Sequence, residues 1–239
     1  MANTKAALIT GGAKRIGKAI ALHLAENGFD IALHYNTSEF DAEEVKKEIK
    51  NKGQNCIIFQ YNLSNIQNIS SFINEVKQSF PSLSLLINNA SIFEKRSFIE
   101  TNLDFFENHF NINFKAPFFL SHSFAKTFKQ GHIINLLDTN ITRDHTKYFV
   151  YNLTKKTLSE FTKMAAAELA PGIRVNAIAP GPILPPSNQE KEYLEHEQDS
   201  VPLKRWGTLS EILQSIDFLI KNEYITGQCL FVDGGNHLR

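Results

Sequence analysis

The stretch that decides the fold is Ala6-Ala7-Leu8-Ile9-Thr10-Gly11-Gly12-Ala13-Lys14-Arg15-Ile16-Gly17. It opens as an apolar run too short for a helix, passes through a glycine pair, and continues at once into a helical pattern. Glycines at such a turn let the backbone pass close to a pyrophosphate, and the helix N-terminus offers unpaired N–H groups with a favourable dipole. A bare strand-to-helix connection would look the same in isolation. Its place directly after the first strand is what the dinucleotide-binding fingerprint requires.

Outward from this turn, short apolar runs rich in β-branched residues recur at 6–10, 30–35, 56–61, 83–88, 132–137, 174–179 and 229–233. Helical spacing fills the intervals 17–27, 39–52, 66–79, 103–128, 150–169 and 210–221, with Gly28, Gly53 and Gly172 where C-caps or turns belong. End-to-end alternation of this kind predicts an α/β fold: a doubly wound parallel sheet of about seven strands with helices on both faces. The stretch 180–205, rich in Pro and charge, breaks the rhythm. The expected organisation is one domain over 1–239 with a substrate loop at about 182–206, carrying Pro185 and Pro186 and edged by Trp206.

The composition excludes several classes. Of the 239 residues, 42% are hydrophobic and 21% charged, and 25 basic side chains balance 25 acidic ones. No global field therefore draws the chain to nucleic acid or a membrane surface. Cys56 and Cys229 are too few for a disulfide framework and read as small buried side chains within strands. The eight histidines show no ligand spacing, so no metal site is expected. No apolar run is long enough for a membrane span, and the first residues carry no signal-peptide pattern; a soluble cytoplasmic protein is the expectation.

The end of the second strand speaks to the cofactor. An acid there would bind a ribose 2′-hydroxyl and repel a 2′-phosphate. This chain has His34-Tyr35-Asn36-Thr37-Ser38, with no acid before Glu39. Asn36, Thr37 and Ser38 can donate to phosphate oxygens and Lys14 or Arg15 can supply charge, so NADPH is favoured over NADH, although no Arg stands in the segment itself.

Tyr151 and Lys155 lie four apart on one face of a helix. An ammonium beside a phenol lowers its pKa, which would make the phenol a proton donor at neutral pH. With them come Asn88-Asn89-Ala90 after the fourth strand, Asn113 in the long helical stretch, Pro180-Gly181 after the sixth strand and Asp233-Gly234-Gly235 after the seventh. In this order and spacing the motifs resemble the short-chain dehydrogenase/reductase family over essentially the whole chain. The resemblance implies a Rossmann-type fold, a nicotinamide cofactor and a homotetramer, for which the Phe-rich stretch 105–128 offers either interface or core. It also implies that Asn113, Tyr151 and Lys155 belong to the catalytic group.

Three departures narrow the resemblance. The catalytic serine expected about thirteen residues before Tyr151 is replaced by Asp138, the middle glycine of the phosphate turn by Arg15, and Phe93 follows Asn89-Ala90-Ser91. These features are similar to the pteridine reductases, including the bacterial dihydromonapterin reductases. That likeness implies a pterin substrate stacked on Phe93, with Arg15 reaching cofactor and substrate. It places Gly11, Lys14, Arg15, Ile16, Tyr35, Asn36, Thr37, Ser38, Asn62, Leu63, Asn89, Ala90, Ser91, Tyr151, Lys155, Pro180, Gly181 and Ile183 on NADPH. Arg15, Ser91, Phe93, Asp138, Tyr151 and Pro182 would meet the substrate, and Asn113 would order a water chain.

Chemistry points the same way. A serine hydroxyl donates to a carbonyl oxygen, whereas an ionised carboxylate only accepts, so Asp138 suits a ring bearing N–H or amino groups better than a ketone. Beside Tyr151 its charge would also oppose Lys155. Other readings stay open: Phe93 as a core residue, Arg15 as a phosphate ligand alone, and Asp138 as a turn acid with Thr139 supplying the hydroxyl of a ketoreductase. A nucleotide-sensing protein without turnover is a further alternative, against which the Tyr151 and Lys155 pair argues.

Overall fold

The computed structural model describes residues 5–144, 146–184 and 201–238. Seven parallel strands form one sheet in the order β3-β2-β1-β4-β5-β6-β7: β1 Ala6–Ile9, β2 Asp30–Tyr35, β3 Cys56–Gln60, β4 Leu83–Asn88, β5 Gly131–Leu136, β6 Ile173–Pro180 and β7 Cys229–Val232. The helices are α1 Arg15–Glu26, α2 Glu39–Asn51, α3 Ile69–Ser79, α4 Leu103–Phe110, α5 Ala116–Phe128, α6 Phe149–Leu169 and α7 Leu209–Lys221. This is the Rossmann-type arrangement expected, with each strand within a residue of its predicted bounds.

Alternate side chains of a strand point to opposite faces, and both faces here are covered. Ala7 and Ile9 of β1 join α1, α2 and α7 through Ile20, Leu24, Val45, Ile49 and Ile216. Leu8, one residue between them, packs on the other face with Ile73 of α3 and Leu120 and Phe124 of α5. Each such buried Leu or Ile contributes roughly 1.5–3 kcal/mol, so the apolar side chains between the sheet and its helices are the main source of stability.

Two helical readings need correction. The stretch 103–128 is continuous, but a π turn at Asn111–Lys115 separates α4 from α5. The backbone stays helical through the turn, so the stretch reads as one helix, and such turns gather at functional sites. The stretch 66–79 begins with a 3₁₀ turn, Ile66–Asn68, before α3. Both cysteines sit in strands as expected, but only Cys56 is buried; Cys229, in the edge strand β7, is partly exposed. The strand order reverses between β1 and β4, and the crevice at their C-terminal ends is where ligands bind in such sheets.

Candidate active site

Every site residue predicted from the sequence except Asn113 lines one cleft of about 1060 Å³ at this crevice. That volume accommodates a dinucleotide-sized ligand with a small partner.

At its base the phosphate turn is fixed by contacts too close for larger residues. Gly11 has φ 62°, in the left-handed region. A Cβ on Gly17 would lie 2.1 Å from the Gly11 carbonyl oxygen and 2.6 Å from Asn89 Nδ2. Asn89 Nδ2 donates to the carbonyls of Thr10 (2.9 Å) and Gly11 (3.1 Å), while Thr10 Oγ1 accepts from the N–H groups of Asn89 (2.9 Å) and Ala90 (3.0 Å). Arg15, at the family's middle-glycine position, keeps a left-handed φ of 52° and is exposed at the helix start beside Ile16.

The sequence reading missed His34. Its ring is buried, accepts from the Gly11 N–H at Nδ1 (3.0 Å) and lies 2.9 Å from the Tyr61 carbonyl at Nε2. Those partners fix the neutral tautomer with the proton on Nε2, and burial holds its pKa down at about 4. A histidine within an otherwise apolar strand was the available signal.

Past the end of β2, Asn36, Thr37 and Ser38 share the cleft wall with Lys14 and Arg15. Lys14 pairs with Asp41 at 3.0 Å, both exposed. Tyr35 is buried in the core and meets the cleft only at its edge. Asn62 turns its Oδ1 to the N–H (3.0 Å) and hydroxyl (2.8 Å) of Ser64, and Leu63 is buried beneath it.

At the reacting end, Asp138 follows β5 and Tyr151 and Lys155 stand on the first turns of α6. Tyr151 Oη donates to Asp138 Oδ2 at 2.8 Å, and Asp138 Oδ1 accepts from the Asn140 N–H at 2.8 Å. Lys155 Nζ donates to the Leu136 carbonyl at 2.8 Å and lies 5.8 Å from the Tyr151 ring centre. Burial first, then the Asp138 charge and its accepted hydrogen bond, raise the Tyr151 pKa well above its ordinary value. The lowering expected from Lys155 is outweighed: desolvation draws Lys155 itself down to about 8, with Asp138 opposing. At neutral pH the phenol keeps its proton and Lys155 remains largely charged.

Phe93 is half exposed, so the core reading fails for it. Its ring meets Tyr151 edge-on at 4.7 Å and stacks on Tyr148 at 4.3 Å. Tyr148, three residues before Tyr151 and so on the same side of the helix start, also escaped the sequence reading. Asn113 lies behind the wall, its Oδ1 accepting from the Ile92 N–H (2.9 Å) and Ser91 hydroxyl (3.1 Å) and its Nδ2 donating to the Ile92 carbonyl (3.0 Å). Its side chain therefore braces the segment carrying Ser91 and Phe93. Thr139 donates to Asp233 at 2.5 Å, which commits the hydroxyl that the ketoreductase reading required.

Pro180, Gly181, Pro182, Ile183 and Trp206 complete the wall. Pro185 and Pro186 lie outside the described residues. Among the described residues no group of His, Cys, Asp and Glu could hold a metal ion, and no helix is long and apolar enough to cross a membrane.

A doubly wound sheet, a glycine turn at its switch point and a Tyr–Lys pair facing that turn define a nicotinamide-type oxidoreductase site. A family model described as enoyl-(acyl carrier protein) reductase matches residues 11–237, and the chain belongs to the short-chain dehydrogenase/reductase family. It is 35% identical over 246 residues to the 3-oxoacyl-[acyl-carrier-protein] reductase FabG of Staphylococcus aureus, covering all of both chains. It is also similar to the FolM alternative dihydrofolate reductase 1 of Brucella suis in complex with NADP. That likeness has 34% identity and a TM-score of 0.94, covering 100% of this chain and 97% of that one. General stress protein 39 of Bacillus subtilis is 33% identical, over 97% of this chain and 84% of that protein.

Proposed function

We propose that this oxidoreductase uses NADPH to reduce a dihydropterin, such as dihydromonapterin or dihydrobiopterin, to the tetrahydro form, with dihydrofolate a candidate for the same chemistry. The observation that carries the reading is the Asp138 carboxylate 2.8 Å from the Tyr151 hydroxyl, with Phe93 edge-on to the same ring. A carboxylate there accepts from N–H and amino groups and offers nothing to a ketone oxygen. Phe93 gives a flat heterocycle a stacking surface. The FolM neighbours, solved with NADP, support both halves of the proposal.

The cleft suits the cofactor. A Cβ on Gly17 would meet the Gly11 carbonyl oxygen at 2.1 Å, so glycine there keeps the turn tight against the start of α1, the end of a helix that favours an anion. Asn36, Thr37, Ser38, Lys14 and Arg15 would hold a 2′-phosphate, and Asn89, Ala90, Lys155, Gly181 and Ile183 the nicotinamide half. NADPH, when bound, supplies the hydride. Tyr151 holds its proton at Oη and delivers it to a ring nitrogen. Lys155 offsets the charge left on the phenol oxygen, and Asp138 orients the substrate's N–H edge while accepting from Tyr151. Pro182, Ile183 and Trp206, at the described ends of the stretch 182–206, would meet the substrate and help to choose its side chain. Exposed Phe118, Phe119, Leu153 and Met164 on α5 and α6 support a homotetramer, and a cytoplasmic location belongs to the same proposal.

A ketoreductase is the second reading, favoured by the FabG relatives. NADPH oxidation with dihydromonapterin, dihydrobiopterin and dihydrofolate, beside an acetoacetyl thioester, separates the two. Turnover of pterins alone is expected; turnover of the thioester alone would replace this reading with the second.

A further inference from the structure

Asp138 heads a four-residue 3₁₀ turn, Thr139–Thr142, too short to hold its own orientation. Its own bonds are to Asn140 within the turn and to Tyr151. What fixes the turn comes from about ninety residues further along the chain. Thr139 Oγ1 donates to Asp233 Oδ2 at 2.5 Å, Thr142 Oγ1 to the His237 carbonyl at 3.3 Å, and Arg143 Nη2 to Asn236 at its Oδ1 (2.7 Å) and its carbonyl oxygen.

Asp233 is itself locked. Besides Thr139, it accepts from the N–H groups of Gly235 (3.0 Å) and His237 (2.7 Å) and lies 2.9 Å from His237 Nδ1, whose ring stacks on Phe231 at 4.3 Å. Burial pushes its pKa up, but the bonds from Thr139 and His237 outweigh that and leave it below the usual range. The same turn touches the other walls. A Cβ on Gly181 would lie 2.7 Å from Asp233 Cα, and one on Gly234 2.7 Å from Val201 Cγ1. The Leu203 N–H donates to the Gly234 carbonyl at 3.1 Å. One short segment after β7 therefore meets the turn behind Asp138, the residue after β6 and the far end of the substrate loop.

We propose that this segment is a positioning element of the active site, in which Asp233, acting through Thr139, holds Asp138 with Oδ2 facing the Tyr151 hydroxyl. The inference rests on the catalytic reading of Asp138 given above. Asp233 and Thr139 are positioning residues: neither is asked to touch substrate.

The test compares Thr139→Val, which keeps the shape and removes the donor, with Thr139→Ser, which restores it. Thr139→Val should lower kcat for the dihydropterin about tenfold to a hundredfold and shift its pH profile, with the KM for NADPH and the melting temperature near those of the unaltered protein. Thr139→Ser should recover most of that loss. In an Asp138→Asn background Thr139→Val should cost nothing further, because a residue that acts through Asp138 has nothing left to position. An unchanged kcat and pH profile in Thr139→Val would overturn the inference. So would an additive loss in the double variant, or losses of NADPH affinity and melting temperature that match the loss of kcat. If Asp138→Asn alone turns over pterin normally, the catalytic reading falls first, which separates the two failures.

Discussion

The two ends of the cleft are built by different means. The phosphate end is made by backbone: Gly11 in a left-handed conformation, Gly17 against the Gly11 carbonyl, and an Asn89 carboxamide bonded to main-chain oxygens. The reacting end is made by side chains from four separate segments, Phe93, Asp138, Tyr151 and the turn at Asp233. A backbone site tolerates no added volume and dictates little about the reaction. A side-chain site tolerates isosteric exchange in its fold, yet each exchange alters the chemistry.

The largest effect should therefore come from the smallest added group. Gly17→Ala places a methyl 2.1 Å from a backbone oxygen, at or above the top of the roughly 1–3 kcal/mol range for overpacking. NADPH binding followed by fluorescence should weaken about a hundredfold or be lost, a change of ~2.7 kcal/mol or more. Near-normal affinity would erase the contrast, since the turn would then be as adaptable as the opposite end.

Asp138→Asn is the counterpart at the reacting end. NADPH affinity and melting temperature should hold while kcat for the pterin falls about a hundredfold, the ordinary scale of a lost acid–base partner. Asp138→Ser sharpens the point, because a hydroxyl beside Tyr151 should give the protein measurable activity on an acetoacetyl thioester. A fall in cofactor affinity equal to the fall in kcat would mean that the two ends are not separable.

This division also explains what the sequence disclosed. The strands were legible because each is a short, mainly apolar run bounded by turn residues, a local signal that both covered faces of the sheet demand. Gly11 and Gly17 were legible because a backbone site leaves its mark as composition. Asp138 and Phe93 stood out through their departure from a known pattern, which placed them without revealing their contacts. His34 and Tyr148 did not stand out, since a polar atom's partners depend on which distant carbonyl or ring the fold brings near. Thr139 and Asp233 illustrate this best: the sequence offered one as a spare hydroxyl and the other within a closing motif, but ninety-four positions separate them and nothing local pairs them.

The pH dependence should also divide by region. Desolvation holds Lys155 at about 8, so kcat/KM for the pterin should be level below that pH and fall above it as the ammonium is lost. Asp138 opposes that desolvation, so Asp138→Asn should move the falling limb to lower pH. Stability runs the other way. The buried charge costs most below about 8, and the protein gains stability from there to about 10.4, where the unfolded chain alone still holds the proton. NADPH affinity at saturating salt, governed by the opposite end, should change little over the same interval. A limb that ignores Asp138 would detach Lys155 from the reacting end.

The smallest effect concerns a side-chain charge at the phosphate end, that of Lys14. Lys14 is exposed and pairs at 3.0 Å with Asp41, an exposed acid in the first turn of α2. Such a pair is worth at most about 1 kcal/mol, so breaking it costs the fold almost nothing. Asp41→Asn should release Lys14 toward a 2′-phosphate and raise the preference for NADPH over NADH about two- to fivefold, while Lys14→Ala should lower it by a similar factor, an amount typical of one screened charge. The two changes should leave kcat alone, because nothing at the reacting end touches either residue. Equal shifts for NADPH and NADH in both variants would mean that Lys14 acts on the pyrophosphate instead, leaving Asn36, Thr37, Ser38 and Arg15 to discriminate the cofactors.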